Sequence, residues 1–424
     1  MTAAAIRAVR PFSIELPAGA SLFKAAIIVA LLALTVFDRF GLRVLGDFSL
    51  SAAVLAMYGL AAAIVLSGAA QFNRPAALAF IAVVTVAGLS FLVNSWLEPR
   101  PHQSVTSWLL VVVSYAPFVI VLSRENAAAG LWRWTMRMFV AFALLVAFAG
   151  MAQFLTQFVM SPPWLFDYSP LIPELVRAGD GWRTVHPVAN WVQADGYWMK
   201  SNGFFLREPS IFSFAMAFAI VCELALGARR WVLGVLAAGL LLSYSGSGIL
   251  CLAVALAFPL GRSAVLRLAG LACAAALLVL LLGDALNLSY TLQRVAEFQS
   301  ETSSAYCRFV HPWLSVLRHA DADVLSAALG HGPGSMTRIG VTCADLHQPT
   351  YGKLLFEYGL LGALAFGTFL VLAINRAGAP LRVRVALGAA WLLLGGHLVN
   401  SELLPMIYLL CAMWPRGAAA GAPR

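Results

Sequence analysis

The chain has 424 residues, of which 61% are hydrophobic and only 11% charged, and its mean hydropathy is +0.84. That composition excludes a freely soluble globular protein and places the chain in a bilayer. A formal charge of +9 would point a soluble protein toward nucleic acid, but no nucleic-acid partner is expected here, because the topology accounts for the charge.

A helix needs roughly 20 apolar residues to cross about 30 Å of hydrocarbon. Such runs recur at 23–37, 50–70, 75–95, 107–123, 136–158, 209–227, 231–243, 247–260, 264–283, 351–373, 384–399 and 403–414. They predict an all-α, polytopic integral membrane protein of about 12 transmembrane helices, a single membrane domain over residues 1–424 with both termini on one side. The first run is followed by Asp38-Arg39-Phe40 instead of the small residues of a cleavage site, so it is expected to remain as a span.

With the N-terminus inside, the inner loops and tails collect Arg7, Arg10, Lys24, Arg74, Arg124, Arg133, Arg137, Arg229, Arg230, Arg262, Arg267, Arg376, Arg382, Arg384, Arg416 and Arg424. The short outer loops hold Arg39, Arg43 and Arg100. That asymmetry puts both termini in the cytoplasm. Between 231 and 260, Ser243-Tyr244-Ser245-Gly246-Ser247-Gly248 divides the apolar run into two halves. Two helices joined by an outer turn keep the charge rule on both sides, whereas one long helix would invert everything after it.

Two long polar stretches remain, 159–208 and 284–350, and the topology puts both outside. They are rich in Trp, Tyr, Pro and Gly, which predicts folded loops facing each other. Cys222, Cys251, Cys273 and Cys411 fall in apolar runs, where a thiol behaves as a small hydrophobe. Cys307 and Cys343 share the second loop and are candidates for a disulfide, against the alternative of two unpaired thiols. Neither CxxC nor His-x-x-x-His occurs, and no metal site is predicted.

Chemistry is expected where the loops re-enter the membrane. In Ser201-Asn202-Gly203-Phe204-Phe205-Leu206-Arg207-Glu208-Pro209-Ser210, Pro209 suits a first helical turn and Glu208 complements the positive helix end. Arg207 does not fit a plain helix cap, because a cation there is repelled unless an anion visits, and helix N-termini are natural phosphate sites. The second loop closes as His347-Gln348-Pro349-Thr350-Tyr351-Gly352-Lys353, with Glu357 four residues after Lys353. Lys353 and Glu357 have the spacing of an ion pair at the interface. His347 stands at a helix mouth among basic residues. Gly330-His331-Gly332-Pro333-Gly334-Ser335 has the glycines that let backbone N–H groups face an anion, and it also reads as an ordinary turn. Trp164, Trp182, Trp191, Tyr197 and Trp198 can stack on sugars or simply mark the interface.

Gly203-Phe204-Phe205-Leu206-Arg207-Glu208-Pro209-Ser210 resembles the Gly-Phe-x-x-Glu-Pro-Ser signature of the exopolysaccharide (Wzy-type) branch of the O-antigen polymerase and O-antigen ligase superfamily. Gly330-His331-Gly332-Pro333-Gly334 and the run from His347 through Glu357 to Gly359-Leu360-Leu361-Gly362 are similar to later motifs of that superfamily. The resemblance covers roughly residues 200–400, and the N-terminal half matches only in hydropathy. It implies a GT-C-like membrane architecture in a bacterial inner membrane, with a periplasmic active site. The implied chemistry is inverting, metal- and cofactor-independent glycosyl transfer from an undecaprenyl-diphosphate-linked oligosaccharide. Membrane lipid and a chain-length regulator are the implied partners.

By position, Arg207 and Arg308 look like the family's donor-binding arginines and His347 like its acceptor-activating histidine. Glu208, His331, Gly332, Gly334, Arg338, Tyr351 and Lys353 are the expected substrate contacts. The chain departs from the ligase pattern at Ser243–Gly248, where ligases tend to carry Ser-Arg-Gly. That departure favours a polymerase over a ligase and leaves Arg338 or Lys353 as candidates for a third basic residue. A secondary transporter is the rival from another class. It would place ionisable residues and broken helices near the midplane, whereas the main charge expected inside these spans is Glu223.

Overall fold

The computed structural model describes residues 20–45, 48–96, 103–124, 129–160, 162–178, 199–258, 270, 277, 296–299, 303–320, 324–338, 348–375, 378–394, 398–399 and 401–416. Helix dominates. In the first part of the chain run α1 (Ala20–Thr35), α2 (Ala52–Leu66), α3 (Arg74–Trp96), α4 (Val105–Tyr115), α5 (Ala129–Thr156), α6 (Pro209–Leu226), α7 (Arg230–Leu242) and α8 (Gly246–Ala257). Four short helices follow, α9 (Ser304–Phe309), α10 (His311–Ala320), α11 (Val324–Leu329) and α12 (Ser335–Arg338). The chain then continues through α13 (Thr350–Asn375), α14 (Leu381–Ala389) and α15 (Leu403–Ile407).

Among the described residues, four helices are long and apolar enough to cross a membrane: 74–96, 130–156, 209–226 and 350–375. Shorter apolar helices lie at 22–35, 52–66, 105–119, 230–242, 246–257 and 403–412. The expected span at 264–283 lies outside the described residues, except for positions 270 and 277. In α3, Ala76, Val83, Ala87, Ser90 and Asn94 are buried while Leu78, Ile81, Leu89 and Leu92 remain exposed. Small residues turned inward and large aliphatics turned outward are the packing expected in lipid, where close backbone approach replaces the hydrophobic drive. The central helix is α6, which is buried without a break from Phe212 to Glu223 between α5, α7 and α8.

The all-α expectation needs one amendment. Gly41–Leu45 (β1) pairs antiparallel with Phe48–Ser51 (β2), and Ala70–Phe72 (β3) with Ile120–Leu122 (β4). The expected runs 50–70 and 107–123 are trimmed accordingly. Ser51 closes its strand and caps α2 by accepting the N–H of Val54 at 3.3 Å, and the β-branched pair Ile120-Val121 favours strand at the other sheet. The described part of 231–260 forms two helices: α7 stops at Leu242, Tyr244 takes φ +45°, and α8 starts at Gly246.

The expected single span at 351–373 is broken at Gly359, whose φ of +62° and ψ of −166° are not helical. The cause is the Gly330–Ser335 loop. The N–H of His331 donates to Phe356 O and that of Gly332 to Glu357 O, both at 2.9 Å, so these carbonyls are taken from the helix ladder. A Cβ on Gly330 would sit 2.4 Å from the carbonyl carbon of Glu357, and one on Gly359 would sit 2.5 Å from Ala328 O, so loop and break fit only as glycine against glycine.

Candidate active site

The Ser201–Glu208 segment is shaped from α5. The amide of Gln153 donates to Leu165 O and Asn202 Oδ1 at 2.8 Å, and its oxygen accepts from Ser201 Oγ at 3.0 Å and Asn202 N at 3.2 Å. This frame holds Gly203 and Phe204 at φ of +72° and +66°, and the Phe204 ring stacks on Tyr168 at 5.3 Å. Burial pushes the Tyr168 phenol up to about 12, so it stays protonated near neutral pH. Glu208 then stands at the N-cap of α6, with Pro209 as its first residue, and its carboxylate accepts the Ser210 hydroxyl at 2.5 Å.

Arg207 is 7% exposed. Its guanidinium makes an ion pair with Glu402, donates to Ser401 Oγ at 2.9 Å and has Asp38 Oδ2 3.5 Å from Nε. The same Asp38 oxygen accepts the Arg207 backbone N–H at 2.9 Å. The expectation of a cation answered only by a visiting anion is therefore corrected, because two carboxylates of the chain itself lie against it. So dry a guanidinium needs such partners. Sequence reasoning missed Asp38, Ser401, Glu402 and Gln153. Two signals pointed to them: the polar triplet Asn400-Ser401-Glu402 wedged between apolar runs, and a glutamine inside an apolar span.

Arg308 lies in the last turn of α9, and its Nη1 donates to Ser247 Oγ, in the first turn of α8, at 3.3 Å. The next residue, Gly248, donates its N–H to Ser213 Oγ of α6 at 3.1 Å, which ties the start of α8 to the second turn of α6. The Arg308 carbonyl accepts the Tyr351 hydroxyl at 3.0 Å, and the Tyr351 ring stacks on Trp313 at 5.0 Å. Arg308 thus joins the starts of α8 and α13. The turn at 243–248 does meet a basic side chain, and it is that of Arg308. Arg338 ends α12, and its side chain lies outside the described residues. Cys307 is buried and disulfide-bonded, while its expected partner, Cys343, lies outside the described residues, as does His347.

At the mouth of α13, Lys353 Nζ lies 3.8 Å from Glu357 Oε1. Glu357 is fully buried and accepts the backbone N–H groups of Gly334 and, at 3.4 Å, Met336. The Gly330–Ser335 loop is therefore both a turn and a cradle of backbone N–H groups, and what it holds is the carboxyl group of the chain's own Glu357. Asn94 Nδ2 donates to Gly330 O and Ser104 N to Pro333 O, each at 2.9 Å, which fastens the loop to α3 and the start of α4. His331 is buried with its ring 4.9 Å from Phe356. His331, Gly332 and Gly334 thus face α13 and its carboxylate. Glu223 is accordingly not the main acidic side chain inside the helices, since Glu357 is equally buried, beside backbone N–H groups and Lys353. Among the described residues, no three His, Cys, Asp or Glu side chains gather as a metal site requires.

Three helix starts thus each have a basic side chain beside them: Arg207 before α6, Arg308 against α8 and Lys353 in the first turn of α13. Positive helix ends joined by cations form surroundings suited to a phosphate-bearing group. No curated protein matches the chain. A family model described as WcaD colanic acid polymerase matches residues 26–414, which extends the likeness across the N-terminal half as well. A helical chain of apolar, membrane-length helices that matches this model over nearly its whole length is a polysaccharide polymerase of the exopolysaccharide type, and it belongs to the WcaD colanic acid polymerase family.

Proposed function

We propose that the chain lengthens an exopolysaccharide of the colanic acid kind at the periplasmic face of a bacterial inner membrane. It would transfer a glycan from an undecaprenyl-diphosphate-linked donor to a lipid-linked acceptor. The observation that supports this reading best is the set of three helix N-termini with Arg207, Arg308 and Lys353 beside them. A lipid diphosphate leaving from an anomeric carbon gains negative charge, and fixed guanidiniums in a poorly solvated site stabilise it without a metal.

In this reading, Arg308 and Lys353 flank the diphosphate, and Arg207 shares its guanidinium between the diphosphate and Glu402. His347, three residues before α13, takes the proton of the acceptor hydroxyl. The acceptor oxygen bonds to the anomeric carbon on the face opposite the breaking carbon–oxygen bond. The lipid diphosphate departs with the electron pair, and the anomeric centre inverts.

The test uses membranes containing the full chain and a lipid-linked repeat unit. Arg207→Ala, Arg308→Ala and His347→Ala are expected to stop at a single lipid-linked repeat, with the protein still present in the membrane. Long polymer in all three variants overturns the assignment. Long lipid-linked polymer accumulating without onward transfer would instead mark a ligase.

A further inference from the structure

The Asp38-Arg39 pair, which follows α1 and has no part in the reaction described above, converges on one peptide group. The N–H of Arg207 donates to Asp38 Oδ2 at 2.9 Å, and the C=O of Leu206 accepts Arg39 Nη2 at 2.8 Å. Those two groups belong to the same planar unit, the peptide immediately before the Arg207 Cα. Consecutive residues thus grip both polar edges of one plane, and its tilt fixes the direction in which the Arg207 side chain leaves the backbone.

The grip is itself anchored. Arg39 is 1% exposed, and it also donates to Phe166 O at 2.8 Å, to Asp167 Oδ1 at 2.5 Å and to Ser169 Oγ at 2.9 Å. Its guanidinium lies 4.8 Å over the Tyr168 ring. Every one of these partners belongs to the loop that ends in Arg207. Asp38 is fully buried, and its charge also faces Arg207 Nε at 3.5 Å. Charge-assisted bonds shielded from water hold geometry more firmly than exposed ones. At its far end the guanidinium meets Ser401 and Glu402.

We propose that Asp38 and Arg39 are positioning residues that aim Arg207 at the donor diphosphate, so that the first helix connection is part of the polymerase's substrate-handling machinery. The proposal rests on the reading of Arg207 given under Proposed function. A role confined to folding would lower the amount of active protein and leave KM alone, whereas a misdirected Arg207 weakens the hold on the donor itself.

The experiment compares purified full-length variants in lipid nanodiscs on a lipid-linked repeat unit, with rates taken per folded molecule. Asp38→Ala and Arg39→Lys are expected to raise KM about 10-fold and lower kcat/KM about 100-fold, the scale of a catalytic group misplaced by about 1 Å. Asp38→Asn keeps an oxygen for the Arg207 N–H and is expected to recover most of that loss. Glu223→Gln, which removes a buried carboxylate from the opposite end of α6, should leave KM unchanged.

Wild-type KM in Asp38→Ala and Arg39→Lys, alongside an inactive Arg207→Ala, overturns the proposal while the catalytic reading stands. If Asp38→Ala does not fold, Arg39→Lys decides alone, because lysine keeps the charge and loses the planar fork whose two nitrogens reach Asp167 and Leu206 at once. An active Arg207→Ala overturns the role given to Arg207 under Proposed function and this proposal with it.

Discussion

Two buried carboxylates, at the two ends of α6, are paired with arginines in opposite ways. At the C-terminal end, Glu223 accepts the N–H and Nε of Arg229 at 2.9 and 2.8 Å on one oxygen and Nη2 at 2.8 Å on the other. The partners are six residues apart, and the Arg229 side chain is 51% exposed. At the N-terminal end, Arg207 draws its partners from the turn after α1 and the start of α15, and both carboxylates among them are buried. The local pair finishes a helix where the arginine keeps access to water. The long-range pair fixes the relative placement of three distant segments, and neither partner can be lost without leaving a charge in the dry.

The comparison breaks most visibly if Glu402 is removed. Glu402→Ala deprives a buried guanidinium of its ion pair and is expected to cost about 3–5 kcal/mol, read as a fall in unfolding temperature in detergent. A loss as small as that at the opposite end would erase the distinction. Gly330→Ala sharpens it from another side, since a positive φ of +73° and a Cβ 2.4 Å from Glu357 leave the loop no easy way to yield. About 2–3 kcal/mol of stability should go, with proteolysis increasing around the α13 break.

Ser247→Ala deletes one hydrogen bond to Arg308 and is expected to cost about 1 kcal/mol, seen chiefly as shorter polymer. Least of all, Glu223→Gln keeps an acceptor for a half-exposed arginine and should cost less than about 1 kcal/mol, with chain length unchanged.

Much of the fold was legible because its signals are local. Apolar runs set where helices lie, Pro209 and Pro349 marked two helix starts, and the Ser243–Gly248 interruption foretold the gap between α7 and α8. The break at Gly359 was hidden, because the residues around it read as one apolar helix and the N–H groups that end it come from the Gly330–Ser335 loop. In the candidate site, Arg207 and Lys353 were found from their places at loop ends, and Arg308 from the family resemblance. Glu402 and Asp38 were not, because a short polar turn between spans looks the same whether it faces solvent or holds an arginine.

From the sequence alone follow a membrane-embedded helical chain, the positions of most helices and the polymerase motifs. These depend on hydropathy, capping and spacing within a few neighbouring residues. Only the tertiary structure decided what lies against Arg207 and what interrupts α13. In both cases the partner is far along the chain, 169 residues from Asp38 to Arg207, and a buried charge or an orphaned carbonyl selects its partner by proximity in space.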